Sequence, residues 1–210
     1  MELNLNNNRN NYTKSELHED QLPLHPFDLF SNWYKQAEES SVYDANAMVL
    51  STVRENKPSS RVVLLKELNK EGFVFYTNYL SRKGSEIKNN NAVALNFYWR
   101  ELEKQVRIEG YAVALSSIAS DAYFDSRPLE SRVSAIISPQ SQIVPSRRFL
   151  TEKLEEFNAK SNPIKRPDSW GGFVVVPESI EFWQGRADRL HDRIVYTHIS
   201  GIWKIHRLAP

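Results

Sequence analysis

"AMVLSTVRENKPSSRVVLLKELNKEGFVFYTN", Ala47 to Asn78, decides the fold. Three runs rich in Val, Leu, Thr and Phe are separated by "NKPS" and "NKEG", which carry turn chemistry. Successive short strands joined by tight turns favour an antiparallel barrel. The pattern continues outward. "AVALNFYWR" and "KQVRIEGYAVALS" read as strands, and so do "GGFVVVP", "SIEFWQG", "RIVYTHI" and "IWKIHRL" near the C-terminus.

Helices are interposed without regular alternation, which disfavours a doubly wound sheet. "HPFDLFSNWYKQAEES" has Pro26 in its first turn and Phe27, Phe30, Trp33 and Ala37 at helical spacing. "SRKGSEIKNN" reads as a short helix capped by Ser81. "SIASDAYFDSRP" should end before Pro128. "SRRFLTEKLEEFNAK" is amphipathic, with Phe149, Leu150, Leu154 and Phe157 on its apolar side. The fold class expected is mainly β with α: a β-barrel with flanking helices. Residues 1–20 are Asn-rich and read as a flexible arm, followed by a single domain over 21–210.

The chain has 27 basic and 26 acidic residues, a balance that argues against a nucleic-acid footprint. It has no Cys, which excludes disulfides, thiolate metal sites and cysteine nucleophiles. No stretch approaches the ~18 apolar residues of a membrane span. The N-terminus lacks the apolar run of a signal peptide. A cytoplasmic protein without membrane or nucleic-acid partners is expected. There is no dinucleotide fingerprint, P-loop or HExxH, and the five His have no metal-ligand spacing, so no metal is expected.

Four segments concentrate chemistry. In "RVVLLK", Arg61 and Lys66 would face opposite ways on a regular strand, as solvated ends or as ligand contacts. In "YTNYLSRKGSEI", Arg82 and Lys83 occupy a helix's first turn, where cations oppose the dipole. Free N–H groups and two cations there suit a phosphate, although an ordinary basic turn has the same letters. In "YFDSRPLES", Tyr123 and Arg127 share a helix face and Ser131 follows, which is either a surface patch or a second phosphate site. "EFWQGRADRLHDR", Glu181 to Arg193, packs Trp183 with Arg189, His191 and Arg193. If 189–193 is extended, those three point one way and call for an anionic or electron-rich group opposite.

These segments, with "QVRIEG", "WGGF" and the terminal "RLAP", resemble the pyridoxine (pyridoxamine) 5′-phosphate oxidase family from about residue 26 to the C-terminus. The resemblance implies a homodimeric split β-barrel with FMN at the subunit interface. It implies oxidation of pyridoxine 5′-phosphate or pyridoxamine 5′-phosphate to pyridoxal 5′-phosphate, with O2 reduced to H2O2. Carried over by position, Arg61, Val62, Val63, Leu64, Leu65 and Lys66 would line the flavin. Tyr76, Thr77, Arg82 and Lys83 would hold its phosphate end, and Gln105, Gln140, Ser141, Trp183 and Arg193 would complete the pocket. Lys66, Tyr123, Arg127 and Ser131 would hold the substrate phosphate.

Arg189, Leu190 and His191 would address the substrate's pyridine end, with Arg189 and His191 in catalytic roles. Arg9 and Tyr12 correspond to an arm that closes over substrate. "SRVSAIIS" departs from the family's "SQIGAWAS" and puts the shape of that loop in question. Two other readings remain: a different split-barrel flavoprotein, such as a flavin reductase or heme-handling relative, and a non-catalytic FMN or pyridoxal phosphate binder.

Overall fold

The computed structural model describes residues 11–160 and 163–210. Its elements are α1 (Pro26–Glu39), β1 (Ala47–Arg54), β2 (Lys57–Leu64), β3 (Glu67–Leu68), β4 (Phe73–Asn78), α2 (Arg82–Asn89), β5 (Ala92–Trp99) and β6 (Lys104–Ala114). There follow α3 (Ser117–Ser126), α4 (Leu129–Ile137), α5 (Arg147–Ala159), β7 (Trp170–Gln184), β8 (Asp192–Ile199) and β9 (Ile202–Arg207). The hydrogen-bonded order is β2-β1-β5-β6-β7-β4-β3, with β8 on β7 and β9 on β8. The mainly β class with helices holds as read. The path ends at β2 and β3, so the sheet is not a closed barrel. No helix among the described residues is long and apolar enough to cross a membrane.

Contacts group the chain into two compact units. The first takes residues up to Met48, Leu95–Glu109 and Pro177–Pro210; the second takes Val49–Ala94 and Gly110–Val176.

In the first unit, α1 starts where His25 caps the Phe27 N–H and Pro26 supplies the pre-set φ of a first turn. Its apolar stripe buries Leu29, Phe30, Trp33 and Ala37. Phe30 meets Phe97 edge-on at 5.1 Å, and Trp33 meets Phe182 at 5.3 Å. The chain before α1 is tied down from residue 12 onward, well inside the stretch expected to be an arm. Leu17 is buried, and its N–H donates to Asp192 Oδ2 at 3.1 Å. Asp192 also accepts from Arg186 and Arg207, and Arg207 reaches on to Glu19.

In the second unit, β1 and β2 form a hairpin over Glu55 and Asn56, both at positive φ (51° and 61°). Two such residues in succession match the twist of a two-residue hairpin turn. Phe73, Val74 and Phe75 on β4 are fully buried, and β4 pairs with β7 from Phe73↔Val175 to Asn78↔Trp170. The "GG" of β7 is a matter of clearance. A Cβ on Gly171 would sit 2.2 Å from the Tyr79 hydroxyl, and one on Gly172 would sit 2.6 Å from Leu115.

Several expectations change. "GGFVVVP" and "SIEFWQG" are one strand, not two. Pro177 falls in the gap between the β4 pairing, which ends at Val175, and the β8 pairing, which starts at Ser179. "LESRVSAII" is the helix α4, opened by Pro128 with Glu130 in its first turn. Amphipathic α5 forms as read, but none of its residues is fully buried, and Leu150 and Leu154 stay 37% and 40% exposed. Residues 187–189 form a 3-10 turn with Asp188 and Arg189 at φ 55° and 62°, so the extended run starts only at Asp192 and does not include Arg189.

Candidate active site

The second unit holds a cavity of about 440 Å³, walled by Val62, Val63, Leu64 and Lys66 from the end of β2, Tyr76 and Thr77 from β4, and Lys83 from α2. Tyr123, Arg127, Pro128, Ser131, Gln140 and Trp170 close the other side. Ser81 positions Lys83: its hydroxyl accepts the Gly84 N–H at 3.3 Å and starts α2 at Arg82. Lys83 Nζ donates to Thr77 Oγ1 at 3.1 Å and to Gln140 Oε1 at 3.0 Å. Burial, then repulsion from Arg61, pushes the Lys83 ammonium below the ordinary lysine value.

The facing wall is aromatic. Tyr76 and Tyr123 stack at 3.8 Å and 15°, and Trp170 lies nearly parallel to both. The Arg127 guanidinium sits over the Trp170 ring at 4.7 Å. Its Nη1 is buried with no hydrogen-bond partner, and burial lowers its pKa. Burial likewise raises the Tyr76 and Tyr123 phenols. Among the described residues, no carboxylate pairs with Lys66, Lys83 or Arg127. A cavity with three uncompensated cations and a buried guanidinium N–H without an acceptor is built for an anion.

Not every expected residue reaches this wall. Lys66 does reach it, just past the end of β2, with its N–H donated to Val74. Leu65 is buried and off the wall. Arg61 turns to its own unit: Nη1 donates to Leu50 O and Thr52, and Nη2 to Ser59 and Glu86. Arg82 pairs with Glu86 at 2.8 Å. The Glu86 side chain is 2% exposed. Burial alone would raise its pKa, but bonds from Thr52 and Arg82 and the charge of Arg61 hold it below the ordinary value. Ser141 is exposed at φ 69°.

The first unit holds the remaining candidates. Trp183 and Arg193 face each other across β7 and β8. His191 lies 4.8 Å from the Trp183 ring, and Tyr12 meets both rings edge-on at 5.7 Å. The Arg186 N–H donates to His191 Nδ1 at 3.1 Å, so the ring proton sits on Nε2. Burial, then the charge of Arg189, depresses the His191 pKa against the opposing pull of Asp192. Arg189 and Leu190 are exposed on the turn and Gln105 is half-buried. Arg9 lies outside the described residues.

Trp170 belongs to the site and was not singled out. Its signal was its place in "WGGF", the one stretch where glycines let side chains press onto β7.

Residues 35–161 match the family model described as pyridoxamine 5′-phosphate oxidase. Residues 170–210 match one described as the pyridoxine 5′-phosphate oxidase C-terminal dimerisation region. A pyridoxine/pyridoxamine 5′-phosphate oxidase of Flavobacterium johnsoniae is 50% identical over 210 residues, covering 98% of each chain. One of Nostoc punctiforme is 48% identical over 206 residues, covering 96% of each. Among solved structures, PhzG from Burkholderia lata 383, in complex with tetrahydrophenazine-1-carboxylic acid, matches with TM-score 0.87 at 30% identity. It covers 93% of this chain and 98% of its own. With the family models spanning both units and relatives near half identical over almost the whole length, the chain belongs to the pyridoxamine 5′-phosphate oxidase family.

Proposed function

We propose that this protein is an FMN-dependent oxidase that converts pyridoxine 5′-phosphate or pyridoxamine 5′-phosphate to pyridoxal 5′-phosphate. The observation that carries the reading is the cavity whose Lys66, Lys83 and Arg127 lack carboxylate partners among the described residues. A phosphate monoester carries about −1.5 to −2 at pH 7. Two of them, one on the cofactor and one on the substrate, would balance three cations where one would leave an excess.

The residues fit FMN. Lys83, Thr77 and Gln140 already share hydrogen bonds and would hold its phosphate. Val62, Val63 and Leu64 offer apolar and backbone contact to a planar ring. Gln105, Ser141, Trp183 and Arg193 are assigned to the same cofactor, with Arg61 and Arg82 acting on its phosphate through their charge. When bound, FMN would supply the redox chemistry, a two-electron oxidation at substrate C4′ with O2 and two protons ending as H2O2; the amine substrate would also consume a water and release ammonia.

The chain's own work is to place and charge the reactants. Lys66, Tyr123, Arg127 and Ser131 bind the substrate phosphate, and Trp170 keeps the Arg127 fork in plane. His191 holds its proton at Nε2 and donates it to the substrate's ring oxygen. Arg189 orients the C4′ end beside Leu190, and Tyr12 covers the ring. Fixing both reactants removes much of the entropic barrier to transfer. The proposed assembly is a cytoplasmic homodimer with FMN at the subunit interface, supported by the dimerisation region matched at 170–210.

The 30% identical PhzG, crystallised with a phenazine-type carboxylic acid, favours a second substrate class for the same fold. One experiment separates the two. The FMN-loaded protein is mixed anaerobically with pyridoxine 5′-phosphate while the flavin absorbance near ~450 nm is followed. Bleaching, with recovery and pyridoxal 5′-phosphate formation on admitting O2, supports the oxidase reading. No bleaching with either B6 phosphate, but bleaching with a reduced phenazine acid, supports the second.

A further inference from the structure

We propose that Glu103 is a positioning residue that latches the segment around Tyr12 onto the His191 turn. The proposal rests on the reading of Tyr12 and His191 as substrate contacts. Glu103 closes the 3-10 turn after β5 in a left-handed conformation, φ 55° and ψ 37°. That conformation is unfavourable for a residue with a side chain, and Gly or Asn would meet it at lower cost. Its residue exposure is only 9%, and among the described residues no cation pairs with its carboxylate. A buried, unpaired carboxylate on a strained backbone requires a specific compensation.

The compensation is at the chain's N-terminal end. Glu103 Oε2 accepts the N–H of Thr13 at 2.9 Å and of Lys14 at 3.0 Å. Lys14 Nζ also donates to the neighbouring Glu101 carbonyl. On its other side, the Glu103 carbonyl accepts the Gly185 N–H at 2.8 Å and the Gln184 amide at 3.1 Å. One residue therefore clamps the stretch that follows Tyr12 to the stretch that follows Trp183.

Between these anchors Tyr12 lies edge-on to Trp183 and His191. Gly185 leaves the room: a Cβ there would come 2.7 Å from Tyr12 Cγ. Farther along, the Leu17 N–H on Asp192 and the Arg186–Glu16 pair at 2.6 Å hold the same segment from the His191 side. Glu103 holds the N–H groups of the two residues that follow Tyr12.

The test compares wild type, Glu103→Ala and Glu103→Gln as full-length, FMN-loaded protein. The readouts are tryptic cleavage after Lys14 and steady-state kinetics with pyridoxine 5′-phosphate. Two charge-assisted bonds are lost in Glu103→Ala, so cleavage is expected to accelerate roughly tenfold or more. KM is expected to rise roughly tenfold while kcat changes less than about threefold, the signature of lost binding rather than lost chemistry. Glu103→Gln keeps an acceptor oxygen and is expected to recover most of both.

A folded Glu103→Ala protein with wild-type cleavage and KM overturns the latch. If Glu103→Ala does not fold, amide exchange in the wild type decides: the Thr13 and Lys14 amides are expected to exchange at least about tenfold more slowly than free peptide, and free exchange overturns the proposal. A wild type inert toward the B6 phosphates would sink the oxidase reading alone, because cleavage and exchange still report on Glu103.

Discussion

Arg193 forks onto Glu181, donating from Nε and Nη2 to the two carboxylate oxygens at 2.8 and 3.1 Å. Arg107 donates to the same carboxylate at 3.0 Å, and Arg193 Nη1 reaches the Ala209 carbonyl. The pairing raises the Arg193 pKa further. Glu181 is thus the anchor of a residue assigned to the cofactor. Glu181→Ala removes the forked partner of the half-buried Arg193, which keeps only the Ala209 carbonyl, and one of the two carboxylates on Arg107, which keeps Glu109. That should cost about 2–4 kcal/mol and lower Tm by roughly 5–15 °C. Arg193→Lys cannot fork, and is expected to lose roughly tenfold in kcat with a smaller loss in Tm. Thermal melts and stopped-flow reduction check both.

Much of this was legible from local pattern, and what was not legible is tertiary. The strands stood out because Val, Leu and Phe runs are bounded by turn residues, and Ser81 announced α2 as a cap before a basic first turn. Lys66, Lys83, Tyr123, Arg127 and Ser131 were each ambiguous alone, yet they line one cavity. The hydrogen bonds of Arg61 could not be foreseen because its partners, Thr52 and Glu86, are brought to it by the hairpin and by α2. No spacing rule along a strand could show that. The turn at 187–190 defeated the alternation argument because positive φ at Asp188 and Arg189 is a backbone choice that those letters do not announce.

Lys83 offers a direct test of the cofactor's phosphate. Lys83→Met is expected to weaken FMN binding roughly tenfold to a hundredfold while changing riboflavin affinity little, since riboflavin lacks the phosphate. The Lys83 pKa lies below the ordinary 10.5. FMN affinity should therefore fall with rising pH earlier than an unperturbed lysine would allow, and the variant should lose that slope. Fluorescence titrations of the apoprotein measure both. Equal losses for FMN and riboflavin would count against the assignment.

Lys104 predicts a pH dependence of stability. It is buried, with Nζ 4.6 Å over the Trp33 ring and bonded to Gln36, and burial pushes its pKa down from 10.5 to about 8. Between those two values the unfolded chain binds a proton that the folded chain does not. Stability should therefore rise with pH across that window, the cost of the buried charge being fully present below about pH 8. Lys83, lowered in the same direction, adds to the trend. Lys104→Met keeps the packing without the charge and should flatten much of the rise. Urea titrations from about pH 7.5 to 10 measure it, and a wild type whose stability is flat or falling there would contradict the assignment.

Arg127 separates the second phosphate from the first. Its guanidinium is stacked on Trp170 and keeps one buried N–H without a partner, so a substrate oxygen there would gain a bond with no protein bond to break. Arg127→Ala is expected to raise KM for pyridoxine 5′-phosphate by roughly tenfold to a hundredfold and to leave FMN affinity within about threefold. Arg127→Lys should rescue little, because an ammonium neither stacks on the indole nor offers the planar fork. The Lys83 and Arg127 variants together form the stronger test. If the cavity serves two phosphates, each variant moves one ligand and spares the other. If both variants weaken FMN and neither moves KM, only one phosphate is bound there, and the substrate must be held elsewhere.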